Sequence, residues 1–227
     1  MTRHTVAMLL LVLAGTGAAL AQQPQHGRLF PPENLGLLEG PDREVWQRPD
    51  QVMDALRIAD GSVVADLGAG SGWFTIRLAR RVGPNGKVYA EDVQREMIDA
   101  IDRRRKREGL RNVQPVLGKQ SDPQLPPGKL DAALIVDSYY EMEEPVVLLR
   151  NLAKSLRPAT ASKPGGRIGI VNYTKVGFGP GPPMNERVEP SVVIADAEAA
   201  GLRVVARPDF LPFQYMLVLE RADPRAR

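Results

Sequence analysis

The sequence contains no cysteine, and its two histidines, His4 and His26, both lie near the amino terminus. The absence of cysteine excludes disulfides, thiolate nucleophiles, iron–sulfur clusters and cysteine zinc sites. The absence of histidine from the body of the chain excludes a catalytic triad, a histidine metal cluster and a histidine general base there. We therefore predict no metal site, and acid–base chemistry is left to carboxylates and phenols.

An excess of charge of one sign is also lacking. The 227 residues carry 30 Lys and Arg against 27 Asp and Glu, which gives a formal net charge of +3. This length fits one ordinary domain, and this balance does not indicate a nucleic-acid-binding surface. The basic run Arg103–Arg107 ends a predicted helix, so a solvated helix end is favoured over a patch for anionic lipid or RNA. No nucleic-acid partner is expected, and the sequence leaves the oligomeric state open.

The amino-terminal segment Met1–Ala21 has the pattern of a secretory signal peptide. Arg3 precedes the apolar stretch Val6–Leu20, and Ala19-Leu20-Ala21 forms a small-residue cleavage pattern. The stretch is shorter than the ~20 residues of a comfortable membrane span. We predict export, to the periplasm, with cleavage after Ala21 and no membrane span afterwards; an uncleaved anchor and a buried helix are the alternatives. The predicted organisation is a signal peptide at 1–21, an irregular leader at 22–43, one domain at 44–221 and a tail at 222–227.

Strand and helix patterns alternate along the domain. Short apolar runs predict seven strands, with helical patterns between the earlier ones and none between the last two. This order predicts an α/β fold with a doubly wound sheet that ends in an antiparallel hairpin. The predicted strands are Val63–Leu67, Lys87–Asp92, Asn112–Leu117, Ala132–Val136, Arg167–Val171, Leu202–Ala206 and Phe213–Leu219.

A glycine loop follows the first predicted strand. Gly68 and Gly70 permit positive φ and close approach of a ligand, and Gly72 permits tight packing of the next helix. A dinucleotide fingerprint would need a third glycine at the position of Trp73, which disfavours a nicotinamide oxidoreductase. Asp66 lies at the carboxyl end of this strand, where open α/β sheets bind ligands.

The second predicted strand ends in acidic residues, about 20 residues after the glycine loop. Acidic residues that bind a ribose occupy this position in related folds. Asp92 can accept hydrogen bonds from both hydroxyls of a ribose, whereas Glu91 is expected to point to the opposite face of the sheet. A carboxylate that only caps or solvates the strand end is the alternative.

Three stretches, Asp66–Gly72, Gly86–Asp92 and Leu130–Asp137, resemble class I S-adenosylmethionine-dependent methyltransferases. Over about residues 43–220 the chain is similar to the small branch related to quinone-biosynthesis methyltransferases. The resemblance implies a Rossmann-like seven-stranded sheet of order 3-2-1-4-5-7-6 with strand 7 antiparallel, and S-adenosylmethionine as cofactor. It further implies cofactor binding by Asp66, Gly68, Ala69, Gly70, Ser71, Gly72, Asp92, Val93, Asp122 and Asp137.

The chain departs from the family after the third strand, where an acidic residue usually meets the adenine amino group. Lys119 stands there, so adenine recognition is assigned to Asp122, Gln120 or backbone groups.

Candidate catalytic residues follow the fourth strand. Glu141 and the phenols Tyr139 and Tyr140 could act as a base, or the tyrosines could wall the pocket while Glu141 caps a helix. Trp46 could fold over the cofactor cleft or pack in the core, and Thr174–Pro190 could form a substrate lid or only a long loop. The resemblance implies methyl transfer to a small, hydrophobic acceptor. The alternative is a catalytically idle S-adenosylmethionine-binding or scaffold domain in the periplasm.

Overall fold

The computed structural model describes residues 29–177 and 179–222. The predicted signal peptide lies outside these residues. Seven strands form one sheet: β1 Val63–Leu67, β2 Lys87–Asp92, β3 Val113–Leu117, β4 Ala132–Val136, β5 Arg167–Tyr173, β6 Leu202–Ala206 and β7 Gln214–Arg221. The helices are α1 Arg43–Gln47, α2 Pro49–Ala55, α3 Trp73–Val82, α4 Arg95–Arg107, α5 Pro145–Ser155 and α6 Pro190–Ala199. Short 3-10 helices span Pro32–Glu39, Tyr139–Glu141 and Met184–Glu186.

The strand order in the sheet is β3-β2-β1-β4-β5-β7-β6. β1 pairs in parallel with both β2 and β4, and β7 runs antiparallel to β5 and β6. The predicted fold class, strand order and antiparallel last strand are therefore confirmed.

Both faces of the sheet are covered, which explains the uninterrupted apolar runs of the central strands. All five residues of β4 are buried, and alternate residues enter opposite layers. Ala132 and Leu134 pack in the layer that includes α2 and α3, while Ala133 and Ile135 pack in the layer of α5 and α6. Each fully buried Leu or Ile contributes about 1.5–3 kcal/mol.

The chain reverses its winding direction between β1 and β4. From β1 it proceeds outward to β2 and β3, then returns to place β4 on the other side of β1. Such a switch point leaves a crevice at the carboxyl ends of the strands, where α/β proteins bind ligands. Asp66, Asp92 and Asp137 all lie at this edge.

The segment before the domain is more regular than the sequence suggested. The predicted irregular leader contains the 3-10 helix Pro32–Glu39, which begins with Pro at its first position. We name residues 29–42 the N-terminal strap, since they line the crevice at the carboxyl edge.

The basic run at the end of α4 is largely paired. Arg104 contacts Glu39 and Glu108, and Arg105 contacts Asp102. Across residues 29–177 and 179–222, no helix combines the length and the apolar character that a membrane crossing requires.

Candidate active site

A cavity of about 580 Å³ opens at the carboxyl edge of the sheet. Its walls are the glycine loop after β1, the ends of β2 and β4, the N-terminal strap and the loop after β5. This volume lies within the range of about 300–1,000 Å³ that is typical of small-molecule sites.

The glycine loop presents bare backbone to the cavity. Gly68 and Gly70 both have positive φ, at 64° and 55°. A Cβ at Gly68 would lie 2.5 Å from Ser138 Oγ, and one at Gly70 would lie 3.0 Å from Leu38 Cδ1, so a side chain at either position would force its neighbour to move. Gly72 is not on the cavity wall; it precedes α3 and packs beside Ile101, so its predicted contact with the cofactor is replaced by a packing role.

Asp92 holds the glycine loop and the start of the next helix together. Its Oδ2 accepts a hydrogen bond from the Gly70 N–H at 3.0 Å, and its Oδ1 accepts one from the Gln94 N–H at 3.0 Å. Burial raises the pKa of Asp92, and these backbone N–H groups oppose the rise. Asp92 and Val93 line the cavity, as a ribose-binding position requires.

Glu91 also lines the cavity, and its expected position on the opposite face of the sheet from Asp92 stays a prediction. Its side chain is only 4% exposed and occupies the space beside Gly118, where a Cβ would lie 1.7 Å from Oε1. Burial and the neighbouring Asp92 raise its pKa well above the usual range. The absent side chain at Gly118 makes room for a second carboxyl at the end of β2.

Asp66 and Asp137 lie at the ends of β1 and β4, on the cavity wall. Asp66 accepts a hydrogen bond from Thr75 Oγ1 at 2.6 Å, and Asp137 accepts one from Gln214 Nε2 at 2.7 Å. Burial raises the pKa of each carboxyl to about 6. The backbone at Asp137 is left-handed, with φ 57°, which turns the chain sharply out of β4.

The adenine side of the predicted site differs from the expectation. Asp122 does not line the cavity: its carboxylate accepts hydrogen bonds from the backbone and side-chain N–H groups of Gln124. The bridge between Lys119 and Asp122 folds this loop back on itself and directs Asp122 outward. Lys119 and Gln120 stand on the cavity wall instead. Ser71 and Ala69 also line it, and Ser71 Oγ is buried without a hydrogen-bond partner among the described residues.

The three candidate catalytic residues form the 3-10 turn after β4, which directs their side chains to different places. Tyr139 is 0% exposed in the core and donates its hydroxyl proton to Asp196 Oδ2 at 2.8 Å, so it is no longer a candidate base. Tyr140 and Glu141 line the cavity. Glu141 Oε2 accepts a hydrogen bond from the Phe30 N–H of the strap at 3.0 Å, and burial raises the pKa of Glu141 to about 7.

Aromatic side chains line the end of the cavity away from β2. Trp46 and Tyr173 lie on the wall with ring centroids 5.9 Å apart, and Phe213 packs on Trp46 at 6.2 Å. Trp46 is therefore half-buried against these two rings on the cavity wall, and its predicted position over the cofactor stays a prediction.

The loop after β5 forms another wall through Pro180–Pro183 and Glu186. Arg187 holds it from behind by donating hydrogen bonds to the carbonyl oxygens of Thr174, Pro180 and Pro182. The described part of the segment predicted as a lid or a loop thus lines the cavity, and whether it acts as a lid stays a prediction.

Three cavity-side polar residues gave no signal in the sequence. Arg43 lines the cavity, and Gln47 and Gln214 donate to Asp137. They lie far in sequence from the glycine loop and are brought to it only by the fold.

These residues fit S-adenosylmethionine. The bare glycine backbone, the carboxylate that ends β2, and the unpartnered Ser71 hydroxyl offer contacts to its methionine and ribose portions. The cofactor contacts predicted for Asp66, Gly68, Ala69, Gly70, Ser71, Asp92, Val93 and Asp137 stay predictions, although all of these residues line the cavity.

Comparison with known proteins agrees with this site. A family model described as a methyltransferase domain matches residues 64–159. The demethylmenaquinone methyltransferase of Geobacillus stearothermophilus is 27% identical over 53% of this chain and 48% of its own length. The ubiquinone/menaquinone biosynthesis C-methyltransferase UbiE of Pasteurella multocida is 30% identical over 58% and 46%. The chain thus spans about half the length of these relatives.

A solved structure is similar over nearly the whole fold. The crystal structure of a SAM-dependent methyltransferase from Aquifex aeolicus has a TM-score of 0.78 and 27% identity, covering 84% of this chain and 98% of that one. The strand order, the glycine loop at the switch point and these similarities together place the chain in the class I methyltransferase superfamily, whose cofactor is S-adenosylmethionine.

Proposed function

We propose that this chain transfers a methyl group from S-adenosylmethionine to a small, apolar acceptor that carries an ionisable hydroxyl or an acidic carbon. The observation that carries the proposal is Glu141, a carboxyl on the cavity wall whose pKa burial raises to about 7. A general base works best when its pKa lies near the working pH.

The cavity wall supports an apolar and uncharged acceptor. Trp46, Tyr140 and Tyr173 offer aromatic faces, and Met142 and Leu148 add aliphatic surface. Among the described residues the wall carries seven carboxyl side chains against two cationic ones, so it offers few partners for a phosphorylated or carboxylated acceptor. The quinone-biosynthesis relatives, whose names indicate ring-containing acceptors, are consistent with this class.

The proposed roles of the residues are few. Glu141 takes the acceptor proton, and the Phe30 N–H fixes the orientation of its carboxylate. When bound, S-adenosylmethionine would supply an electrophilic sulfonium methyl to the acceptor's electron pair and would leave as S-adenosylhomocysteine, with the carbon–sulfur electron pair kept by sulfur. Closing the cavity to water and aligning the acceptor supply much of the rate, as in other displacement reactions.

The test compares Glu141→Gln with Glu143→Gln, an exposed acid two residues away. The probes are 2-naphthol and 1,4-naphthohydroquinone, with release of S-adenosylhomocysteine as the readout. We expect Glu141→Gln to lower kcat by at least ~10²-fold with little change in cofactor affinity, and Glu143→Gln to match the wild type. Wild-type kcat should rise with pH through about 7, as Glu141 loses its proton, and the variant should lose this rise.

Two results would speak against the proposal. An unchanged kcat in Glu141→Gln would return Glu141 to a structural role after β4. A wild-type chain that binds S-adenosylmethionine but releases no S-adenosylhomocysteine with either probe would favour the idle binding domain. The relatives are named as methyltransferases, which supports an active enzyme over an idle binding domain.

We further propose export, on the pattern of Met1–Ala21 alone. Cleavage after Ala21 would leave Gln22 at the amino terminus.

A further inference from the structure

Arg43 is a cavity residue that the proposed reaction leaves without a role. It begins α1, and its guanidinium lies 4.4 Å from the centroid of the Trp73 ring. Its Nε donates to Gln47 Oε1, and its Nη1 donates to the Leu38 carbonyl oxygen of the strap at 2.5 Å. Within the part of the chain that the structure describes, Nη2 has no acceptor, and the residue lines the cavity.

The surroundings of Arg43 are acidic but do not pair with it. Asp66 and Asp137 both act on it electrostatically, yet among the described residues neither forms an ion pair with it. Asp66 is hydrogen-bonded to Thr75, and Asp137 to Gln214 and Gln47. One cation and two carboxyls therefore face the same cavity without contacting one another.

A zwitterion would satisfy this arrangement. The methionine portion of S-adenosylmethionine carries a carboxylate and an ammonium on one carbon. A carboxylate is best met by the planar fork of a guanidinium, and an ammonium by carboxylate oxygens. Resting on the cofactor assignment, we propose that Arg43 binds the carboxylate of that methionine portion, while Asp66 and Asp137 face its ammonium.

Lys119, the second cation on the cavity wall, is placed differently. It follows β3, which is separated from β4 by β2 and β1. Its side chain is exposed, and its backbone pairs with Asp122. Of the described residues that line the cavity, Arg43 is thus the cation on the side where Asp66 and Asp137 end β1 and β4; Arg187 also acts on Asp137 but does not line the cavity and donates to three carbonyl oxygens.

The contact would tie the strap to the cofactor. The guanidinium that faces the cavity through Nη2 also holds the Leu38 carbonyl through Nη1. Leu38 in turn lies over Gly70. A bound carboxylate would thereby fix the strap over the glycine loop.

The experiment measures affinity by calorimetry with two ligands on the full chain. One ligand is S-adenosylmethionine, and the other is its decarboxylated form, which lacks only the carboxylate. The variants are Arg43→Gln and Arg43→Lys. The control is Arg77→Gln, since Arg77 stacks on the same Trp73 ring at 3.5 Å but does not line the cavity.

We expect the wild type to bind S-adenosylmethionine about 10- to 100-fold more tightly than the decarboxylated ligand, as loss of a charge-assisted contact predicts. Arg43→Gln should remove this preference, because it should lower the affinity for S-adenosylmethionine and leave the affinity for the decarboxylated ligand unchanged. Arg43→Lys should keep part of it, because it retains the charge but not the fork. Arg77→Gln should behave as the wild type.

Several outcomes would overturn the inference. Arg43→Gln could keep the full preference for S-adenosylmethionine. It could also lower the affinity for both ligands equally, which would make Arg43 a structural residue that holds the strap. If Arg43→Gln does not fold, an undiminished preference in Arg43→Lys would overturn it as well. A wild type that binds neither ligand would overturn the cofactor assignment along with it, and that result is distinct from the others.

Discussion

Replacing Asp66 by asparagine should stabilise the ligand-free protein at neutral pH. Burial raises the pKa of Asp66 from 3.8 to about 6, so the folded state holds a proton that the unfolded state releases at lower pH. The contribution of Asp66 to the free energy of unfolding is therefore largest below about pH 4. It decreases as the pH rises from about 4 and is lost once the pH passes 6. At about 1.4 kcal/mol per pKa unit, the loss amounts to about 3 kcal/mol above pH 7.

The side chain of asparagine does not titrate and can still accept the hydrogen bond from Thr75 Oγ1. The difference in free energy of unfolding between Asp66→Asn and wild type should therefore grow by roughly 2–3 kcal/mol between pH 4 and pH 7.5. Urea denaturation at several pH values measures this difference. Because the comparison is a difference, a constant offset between the two side chains does not affect it.

Asp131→Asn provides a control of opposite sign. Burial acts to raise the pKa of Asp131, but hydrogen bonds from the Val63 N–H, Arg157 and Lys163 hold it below the usual value. Asp131→Asn should destabilise the protein at neutral pH, and the deficit should shrink as the pH falls. A pH-independent difference for Asp66→Asn, or one with the slope of Asp131→Asn, would refute the reasoning from burial.

Three further predictions concern the cofactor, the core and the amino terminus. Asp92→Ala should lower the affinity for S-adenosylmethionine by ~30–150-fold in calorimetry. Gly70→Val should lower it more, because the new Cβ would meet Leu38. Wild-type affinity in either variant would contradict the proposed cofactor site. Tyr139→Phe should lower the free energy of unfolding by about 1 kcal/mol and leave kcat within about twofold, since only its bond to Asp196 is lost; a large fall in kcat would restore it as a catalytic candidate. Protein from the native host should begin at Gln22, and amino-terminal sequencing that finds intact Met1 in a cytoplasmic fraction would contradict export.

The fold could be predicted because its signals are local and repeated. The central strands β1 and β4 are short buried runs, and β1 is followed by glycines that allow a close turn. The absence of a helix before the last strand predicted the antiparallel pair β6–β7, which the structure confirms. These features depend on residues next to one another in sequence, where periodicity carries the information.

The direction of single side chains at the strand ends could not be predicted in the same way. Tyr139 and Tyr140 are neighbours, yet the 3-10 turn sends one into the core and the other to the cavity. Alternation along β2 predicted only the sheet face of Glu91, not that its carboxyl reaches the cavity wall, where Gly118 on the adjacent loop leaves space for it. Both outcomes depend on neighbours that only the tertiary fold supplies.

The loop after β5 is held by Arg187 through its backbone and not through the side chains that face the cavity. The hydrogen bonds of Arg187 go to backbone carbonyls of residues 174, 180 and 182, which every residue type possesses. Replacing side chains along this loop therefore leaves these hydrogen bonds in place, except at Gly181, where a Cβ would lie 2.7 Å from the Tyr173 ring, and at Gly179, where one would lie 2.6 Å from the Phe213 ring. Exchange of the loop's other side chains can therefore change which acceptor fits while the sheet stays unchanged, provided that Arg187, Gly179 and Gly181 are kept.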